Sequence, residues 1–173
     1  MTSQDIKRKL YRYYENSDYK LFNTFVFDFE SDFFCMTKSG HVIECEIKIS
    51  RSDFFADFKK TSFRRTSFEI KTKHEILQDK SIIFKPNRFY FAVPDGLIKK
   101  DEVPEHAGLI YINDTSTIIK NAPLLHKDKL MNNIHFVRKL MNKYYYRCID
   151  LRKELELRDC DLRHGQGRLD KRY

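Results

Sequence analysis

Asp32, Glu46 and Lys48 are the residues of this chain whose types and spacing best suit chemistry on a phosphodiester. Glu46-Ile47-Lys48 lies in the run HVIECEIKIS, fourteen residues after Asp32. Side chains repeat every second residue along a strand, so the Glu46 carboxylate and the Lys48 ammonium share one face. Carboxylates are the hard oxygen ligands that magnesium or manganese prefers, and such a cation activates water and neutralises phosphate oxygens. Asp32 and Glu46, with the backbone carbonyl of Ile47, are therefore candidate ligands for Mg2+ or Mn2+, with Glu44 or Glu30 as a further one. Lys48 would orient the attacking water or stabilise charge building on phosphorus. Glu44 reads equally well as a solvated residue near the strand edge, and the whole set as a salt-bridged sheet face without catalysis.

These side chains need two paired strands to bring them together. HVIECEIKIS alternates, with Ile43, Cys45, Ile47 and Ile49 on one side and Glu44, Glu46 and Lys48 on the other. The preceding run LFNTFVFDFESDFFCMT reads as one strand bent near Glu30 and Ser31, joined to the next through Ser39-Gly40. In an antiparallel hairpin a two-residue loop would set Asp32 opposite Ile47, on the wrong face. A three-residue loop, Lys38 to Gly40, sets Asp32 opposite Glu46, so the chemistry predicts an odd-length or bulged connection.

RSDFFADFKK follows with a helical pattern and Ser52 as a plausible N-cap; Ser50, Arg51 and Asp53 sit where a helix N-terminus could meet a phosphate. From Lys59 to Lys80 the pattern is compatible with irregular loop or short helix. Lys59, Lys60, Arg64, Arg65, Lys71 and Lys73, interleaved with Phe63 and Phe68, form a candidate surface for gripping a nucleic-acid backbone, although a solvated basic loop explains the charges as well. His74 could assist proton transfer, or be ordinary surface.

The remaining elements frame this region. Ile6, Leu10, Tyr11 and Tyr14 predict an opening helix from Ser3 to Asn16, with Ser3 available as its cap. Arg88–Pro94 and Ala107–Asn113 read as apolar strands, and the LIKKDEVPEH segment between them predicts a crossover joining parallel strands. Leu130, Ile134, Val137, Met141, Tyr144, Cys148, Leu151 and Leu155 step by four and three, predicting one helix of about 40 Å. Its stripe demands a partner, either the sheet or a second copy in a homodimer. The expected organisation is an α/β domain over 1–125, a long helix over 126–158 and a mobile charged tail over 159–173.

Composition narrows the function classes. In 173 residues, 33 Lys and Arg outnumber 25 Asp and Glu, giving a net charge of +8 that favours a polyanionic partner. Cys35, Cys45, Cys148 and Cys160 lack the close spacing of zinc sites and read as reduced thiols. No apolar stretch approaches the roughly 20 residues that span a bilayer, and MTSQDIKRKL has no apolar signal region, so a cytoplasmic protein is expected. No glycine-rich phosphate loop, GxSxG elbow or paired zinc motif supports a kinase, ATPase, serine hydrolase or zinc enzyme.

The block SDFFCMTKSGHVIECEIKISRSDFFADFKK, with NRFYFAVPDGL and VPEHAGLIYIN downstream, resembles the PD-(D/E)XK nuclease superfamily, and within it the small MmcB-like DNA repair proteins. The likeness spans about residues 28 to 113, and Ser31 stands where the superfamily usually has proline. It implies a restriction-endonuclease-like core of helix, mixed central sheet and crossover helix, with the long C-terminal helix outside it. It also implies that Asp32 is the first acid, Glu46 the second and Lys48 the lysine of a metal-dependent deoxyribonuclease, of repair, restriction or phage type. DNA is the expected partner, and RNA would satisfy the same residues. The alternatives are a nucleic-acid-binding module that keeps this fold without cleaving, and an adaptor assembled through its C-terminal helix.

Overall fold

The computed structural model describes residues 1–64 and 69–166. They fall into two compact units, Met1–Asn133 and the segment from Ile134 on. In the first unit the chain runs α1 (Ser3–Tyr13), β1 (Asp18–Thr24), β2 (Ser31–Met36), β3 (Val42–Ile47), α2 (Arg51–Asp57), β4 (Thr61–Arg64), β5 (Glu69–Thr72), α3 (Lys73–Gln78), β6 (Arg88–Pro94), β7 (Gly108–Ile112) and β8 (Ser116–Lys120). Six strands form a mixed sheet in the order β1-β2-β3-β6-β7-β8, while β4 and β5 pair as a separate hairpin. β1, β2 and β3 are antiparallel neighbours, β3, β6 and β7 are parallel, and β8 returns antiparallel to β7. The chain is thus an α/β protein with a mixed central sheet.

Alternation along the strands builds a core on each face of the sheet. One core gathers Phe33, Cys35, Ile43, Cys45, Ile47, Tyr90 and Ala92 with Ile6 and Leu10 of α1. The other gathers Phe89, Phe91, Val93 and Leu109 with Phe54 of α2 and Leu77 of α3. β3 is therefore buried on both sides, and its polar residues face the second core. Gly108 lies opposite Tyr90, and a Cβ there would strike the Tyr90 ring and come within 2.6 Å of the Ala122 nitrogen, so this close approach requires glycine.

The connection between β2 and β3 is the three-residue one the chemistry asks for. Thr37 N–H donates to the His41 carbonyl at 2.8 Å, enclosing Lys38, Ser39 and Gly40, and Gly40 takes a φ of +84° that glycine adopts without steric penalty. Phe33 then pairs with Cys45 and Phe34 with Glu44, the register that runs Asp32 towards Glu46.

Several expectations change. LFNTFVFDFESDFFCMT is two antiparallel strands, because pairing ends at Thr24 and Ser31 and residues 25–30 leave the ladder to turn back. The caps lie one or two residues earlier than expected: Thr2 and Asp5 form a capping box on α1, and the Ser50 side chain accepts from Asp53 N–H at the start of α2. The ambiguous stretch after Lys59 is a hairpin followed by α3, whose capping box is Thr72 and Glu75. The crossover from β6 to β7 joins parallel strands as expected, with only a 3-10 turn at Lys100–Glu102.

In the second unit, α4 (Ile134–Gln166) begins eight residues later than expected and continues through the first part of the predicted tail. Ile134, Met141, Leu151 and Leu155 of the apolar stripe are exposed, while Phe136 and Leu140 are buried. Residues 167–173 of the predicted tail lie outside the described residues. No helix among the described residues is long and apolar enough to cross a membrane.

Candidate active site

β3 delivers Glu44, Glu46 and Lys48 to one face, and all three are at most 2% exposed. Three elements close over them. α2 brings Asp57, its Phe54 being anchored in the core; the turn after α2 brings Lys60; α3 brings Lys73 and His74. Burying a charge is expensive unless it is paired, and here each carboxylate meets an ammonium.

Lys73 lies between two acids, its Nζ donating to Glu44 Oε1 at 2.5 Å and also to Glu46 Oε1. The other Glu46 oxygen, Oε2, accepts from Lys48 at 3.2 Å and from Lys60 at 3.3 Å. Lys48 donates to Asp57 Oδ1 at 2.6 Å, where Lys60 also pairs at 2.8 Å. Glu44, Glu46 and Asp57 are thereby matched by Lys48, Lys60 and Lys73. Lys60 is the solvent-facing member, with its side chain 43% exposed.

The surroundings set the charges. Burial pushes Glu44 above the ordinary glutamate range, more than Lys73 pulls it down. Burial also acts on Glu46, but Lys73, Lys48 and Lys60 outweigh it and hold that carboxyl below its usual value. Asp57 is driven well below the carboxylate range because the His74 hydrogen bond and the Lys48 and Lys60 ammoniums overcome its burial. Lys73 loses by burial and gains more from Glu44 and Glu46, so it holds its proton more firmly than an ordinary lysine. Asp32, half-buried on β2, is raised by burial and by the neighbouring Glu46 charge, and its Oδ2 accepts the Ile47 N–H at 2.8 Å.

The structure thus brings Asp32, Glu44, Glu46 and Lys48 together. Glu30 is exposed just before β2. Several residues expected to contact nucleic acid have other partners. Lys73 is buried within the site at 3% exposure, because Glu44 and Glu46 draw its ammonium inward, and Lys60 also turns towards Glu46. Ser50 caps α2, Arg51 donates to Glu102 Oε2 at 3.0 Å and to the Leu97 carbonyl at 3.2 Å, and Lys71 pairs with Asp79 at 3.0 Å. Lys59 is exposed, Arg64 lies on β4, and Arg65 and Phe68 lie outside the described residues. His74 is buried, not a surface histidine.

Asp57 and His106 are the site residues not singled out from the sequence, whereas Lys73, expected on a nucleic-acid surface, and His74, expected as a proton-transfer or surface residue, are both buried in the network. Thr72 and Glu75 carried a signal for α3, since a threonine followed three residues later by glutamate is a helix-start signature. Asp57 had a weaker one, lying four residues after Asp53 on the helix that follows Lys48.

Among the described residues no three His, Cys, Asp or Glu side chains form a group able to hold a metal ion by themselves. The donor chemistry nevertheless fits magnesium, which takes one or two carboxylates and completes its shell with water and substrate phosphate. Asp32 and Glu46 are the two carboxylates that could serve in this way, with Lys48 and Lys60 on Glu46 Oε2 and Lys73 on Oε1 in the place of a cation.

No family model and no curated protein matches this chain. Among solved structures, a protein of unknown function from Silicibacter pomeroyi superposes with a TM-score of 0.63 at 18% identity, over 88% of this chain and 92% of that one. At that identity the likeness shows a shared fold alone.

Proposed function

We propose that this chain is a divalent-metal-dependent nuclease that hydrolyses DNA phosphodiester bonds, on a restriction-endonuclease-like core of the PD-(D/E)XK superfamily. The observation that carries the reading is the β2–β3 register, which runs Asp32 towards Glu46 on the face that also holds Lys48. The order of α1, three antiparallel strands, α2 and a strand parallel to β3 supports it, being the core the sequence resemblance implies.

Asp32, Glu46 and the Ile47 carbonyl would hold Mg2+ or Mn2+, which when bound activates water and neutralises phosphate charge. Glu44 stays engaged with Lys73 as a structural acid in this reading. Lys48, fixed by Asp57, points its ammonium at the Glu46 carboxylate and would stabilise charge developing on the phosphate there. Lys60, the exposed partner of Glu46 and Asp57, would be the cation a bound metal replaces. Lys59 and Arg64 of β4 would hold the nucleic-acid backbone; a homodimer through the exposed stripe of α4, in the cytoplasm, belongs to the same proposal.

The test is incubation with plasmid, linear duplex and single-stranded DNA in magnesium, manganese or EDTA, alongside Lys48→Ala. Cleavage that needs the metal, and that falls at least a hundredfold in the variant while DNA binding persists, is the expected result. Cleavage in EDTA, or equal cleavage by Lys48→Ala, refutes the mechanism. One observation favours a second reading, a nucleic-acid-binding module that does not cleave: both oxygens of buried Glu46 are held by lysines. Salt-sensitive DNA binding without cleavage in any metal would establish that reading instead.

A further inference from the structure

The network extends beyond the carboxylates and lysines. Asp57 Oδ2 lies 3.2 Å from His74 Nε2, His74 Nδ1 lies 2.8 Å from His106 Nε2, and His106 Nδ1 lies 3.0 Å from the Gln78 amide nitrogen. Both histidines are buried. Phe58 stacks on the His74 ring at 4.4 Å and 20°, and Phe91 lies at 5.9 Å and 24°, so the plane of the imidazole is fixed.

One assignment of the protons matches these contacts. Asp57 Oδ2 is a carboxylate oxygen and can only accept, so His74 Nε2 carries a hydrogen. In a neutral ring Nδ1 is then the acceptor, and His106 Nε2 must donate to it. That leaves His106 Nδ1 to accept from the Gln78 amide. Under this assignment every polar atom on the line is satisfied. Burial first, and the ammoniums of Lys120 on β8 and Lys85 before β6 among its neighbours, hold His106 below the ordinary histidine range.

We propose that Asp57, His74 and His106 form a positioning relay for Lys48, with each imidazole held as its Nε2–H tautomer so that Asp57 presents a fixed oxygen to the Lys48 ammonium. The relay deepens the nuclease reading and rests on it for its consequence in catalysis. Its outer end is accessible: His106 and Gln78 line a cavity of ≈ 510 Å³ together with Lys80, Glu105 and Leu125. Lys48 itself is buried at the opposite end. None of these three residues is asked to touch the substrate; they act by denying Lys48 other orientations.

Two measurements on the full chain test this. Long-range proton–nitrogen NMR at neutral pH is expected to show His74 and His106 both as Nε2–H tautomers, with slowly exchanging ring protons. An Nδ1–H tautomer at either residue overturns the relay, and this readout holds whether or not the protein cleaves DNA. The second compares His74→Gln, whose amide can still donate towards Asp57, with His74→Leu, which cannot. His74→Leu should lower kcat about tenfold with KM unchanged, the loss of one hydrogen bond at a charged group, whereas His74→Gln should retain most of the rate. Equal rates for the two variants would overturn the positioning role. A wild-type chain that shows the tautomers but no cleavage would defeat the nuclease reading and leave the relay standing.

Discussion

Replacing Lys73 by methionine is the sharpest probe of the buried network. Methionine fills the space of the lysine stem but removes the ammonium that bridges Glu44 and Glu46. Glu46 keeps Lys48 at 3.2 Å and Lys60 at 3.3 Å, so the stranded group is Glu44, which is 2% exposed. An unpaired buried carboxylate takes up a proton in preference to remaining charged. Holding an ordinary glutamate of pKa about 4.3 protonated takes about 1.4 kcal/mol per pH unit, hence about 3.7 kcal/mol at pH 7 and about 1 kcal/mol at pH 5. The pH 7 figure agrees with the roughly 3–5 kcal/mol of a broken buried ion pair. The sign follows from proton counting: in the variant the folded chain holds a proton that the unfolded chain releases above pH 4.3 or so, and stability therefore falls as pH rises. Urea unfolding of both proteins at pH 5, 6, 7 and 8 measures it. The gap in stability should widen by about 1.4 kcal/mol per pH unit, and Glu44→Gln in the Lys73→Met background should remove the slope. A loss below about 1 kcal/mol at pH 7, or a gap independent of pH, would refute the description of Glu44 as buried and dependent on Lys73.

Gly108→Ala should destabilise by about 1–3 kcal/mol, since its Cβ meets the Tyr90 ring and the Ala122 nitrogen; thermal unfolding measures this, and an unchanged midpoint would contradict that packing. Acid should act on His106 in the opposite direction from Glu44 in the Lys73→Met variant. Burial first, then His74, Lys120 and Lys85, lower its pKa from 6.5 to about 4, so the unfolded chain takes up the proton first. Its contribution is complete above pH 6.5 and is lost as pH falls to about 4. Stability curves of wild type and His106→Gln across that window should converge towards the acid end, and parallel curves would show that His106 does not titrate as described.

The sheet was legible where a strand announces both faces. In β3 the alternation of Ile43, Cys45 and Ile47 with Glu44 and Glu46 locates the strand, and in β6 the apolar run Arg88–Pro94 coincides with it from end to end. The requirement that Asp32 face Glu46 even supplied the loop length. The closing half of the site was not legible, for a physical reason. A charged side chain reads as solvated until its counter-charge is placed, and Lys73 is 27 residues from Glu46 along the chain. Asp57 and His74 likewise meet only after α2 and the β4–β5 hairpin have folded back over β3. The α4 stripe illustrates the converse: Ile134, Met141 and Leu155 have helical spacing, yet spacing alone does not say what covers them.

The short turn from Lys38 to Gly40 has a consequence for how this chain can change in length. Exposed polar turns are ordinarily where insertions and deletions are absorbed without harm. Here the number of residues is itself the information, because removing one would shift the pairing of β2 and β3 by a step and turn Asp32 to the face opposite Glu46. The exposed Lys38 can change in identity more freely than Ser39, whose hydroxyl bonds Thr37 at 2.9 Å, but the turn cannot change in number, so the most permissive-looking stretch beside the site forbids a single-residue gap.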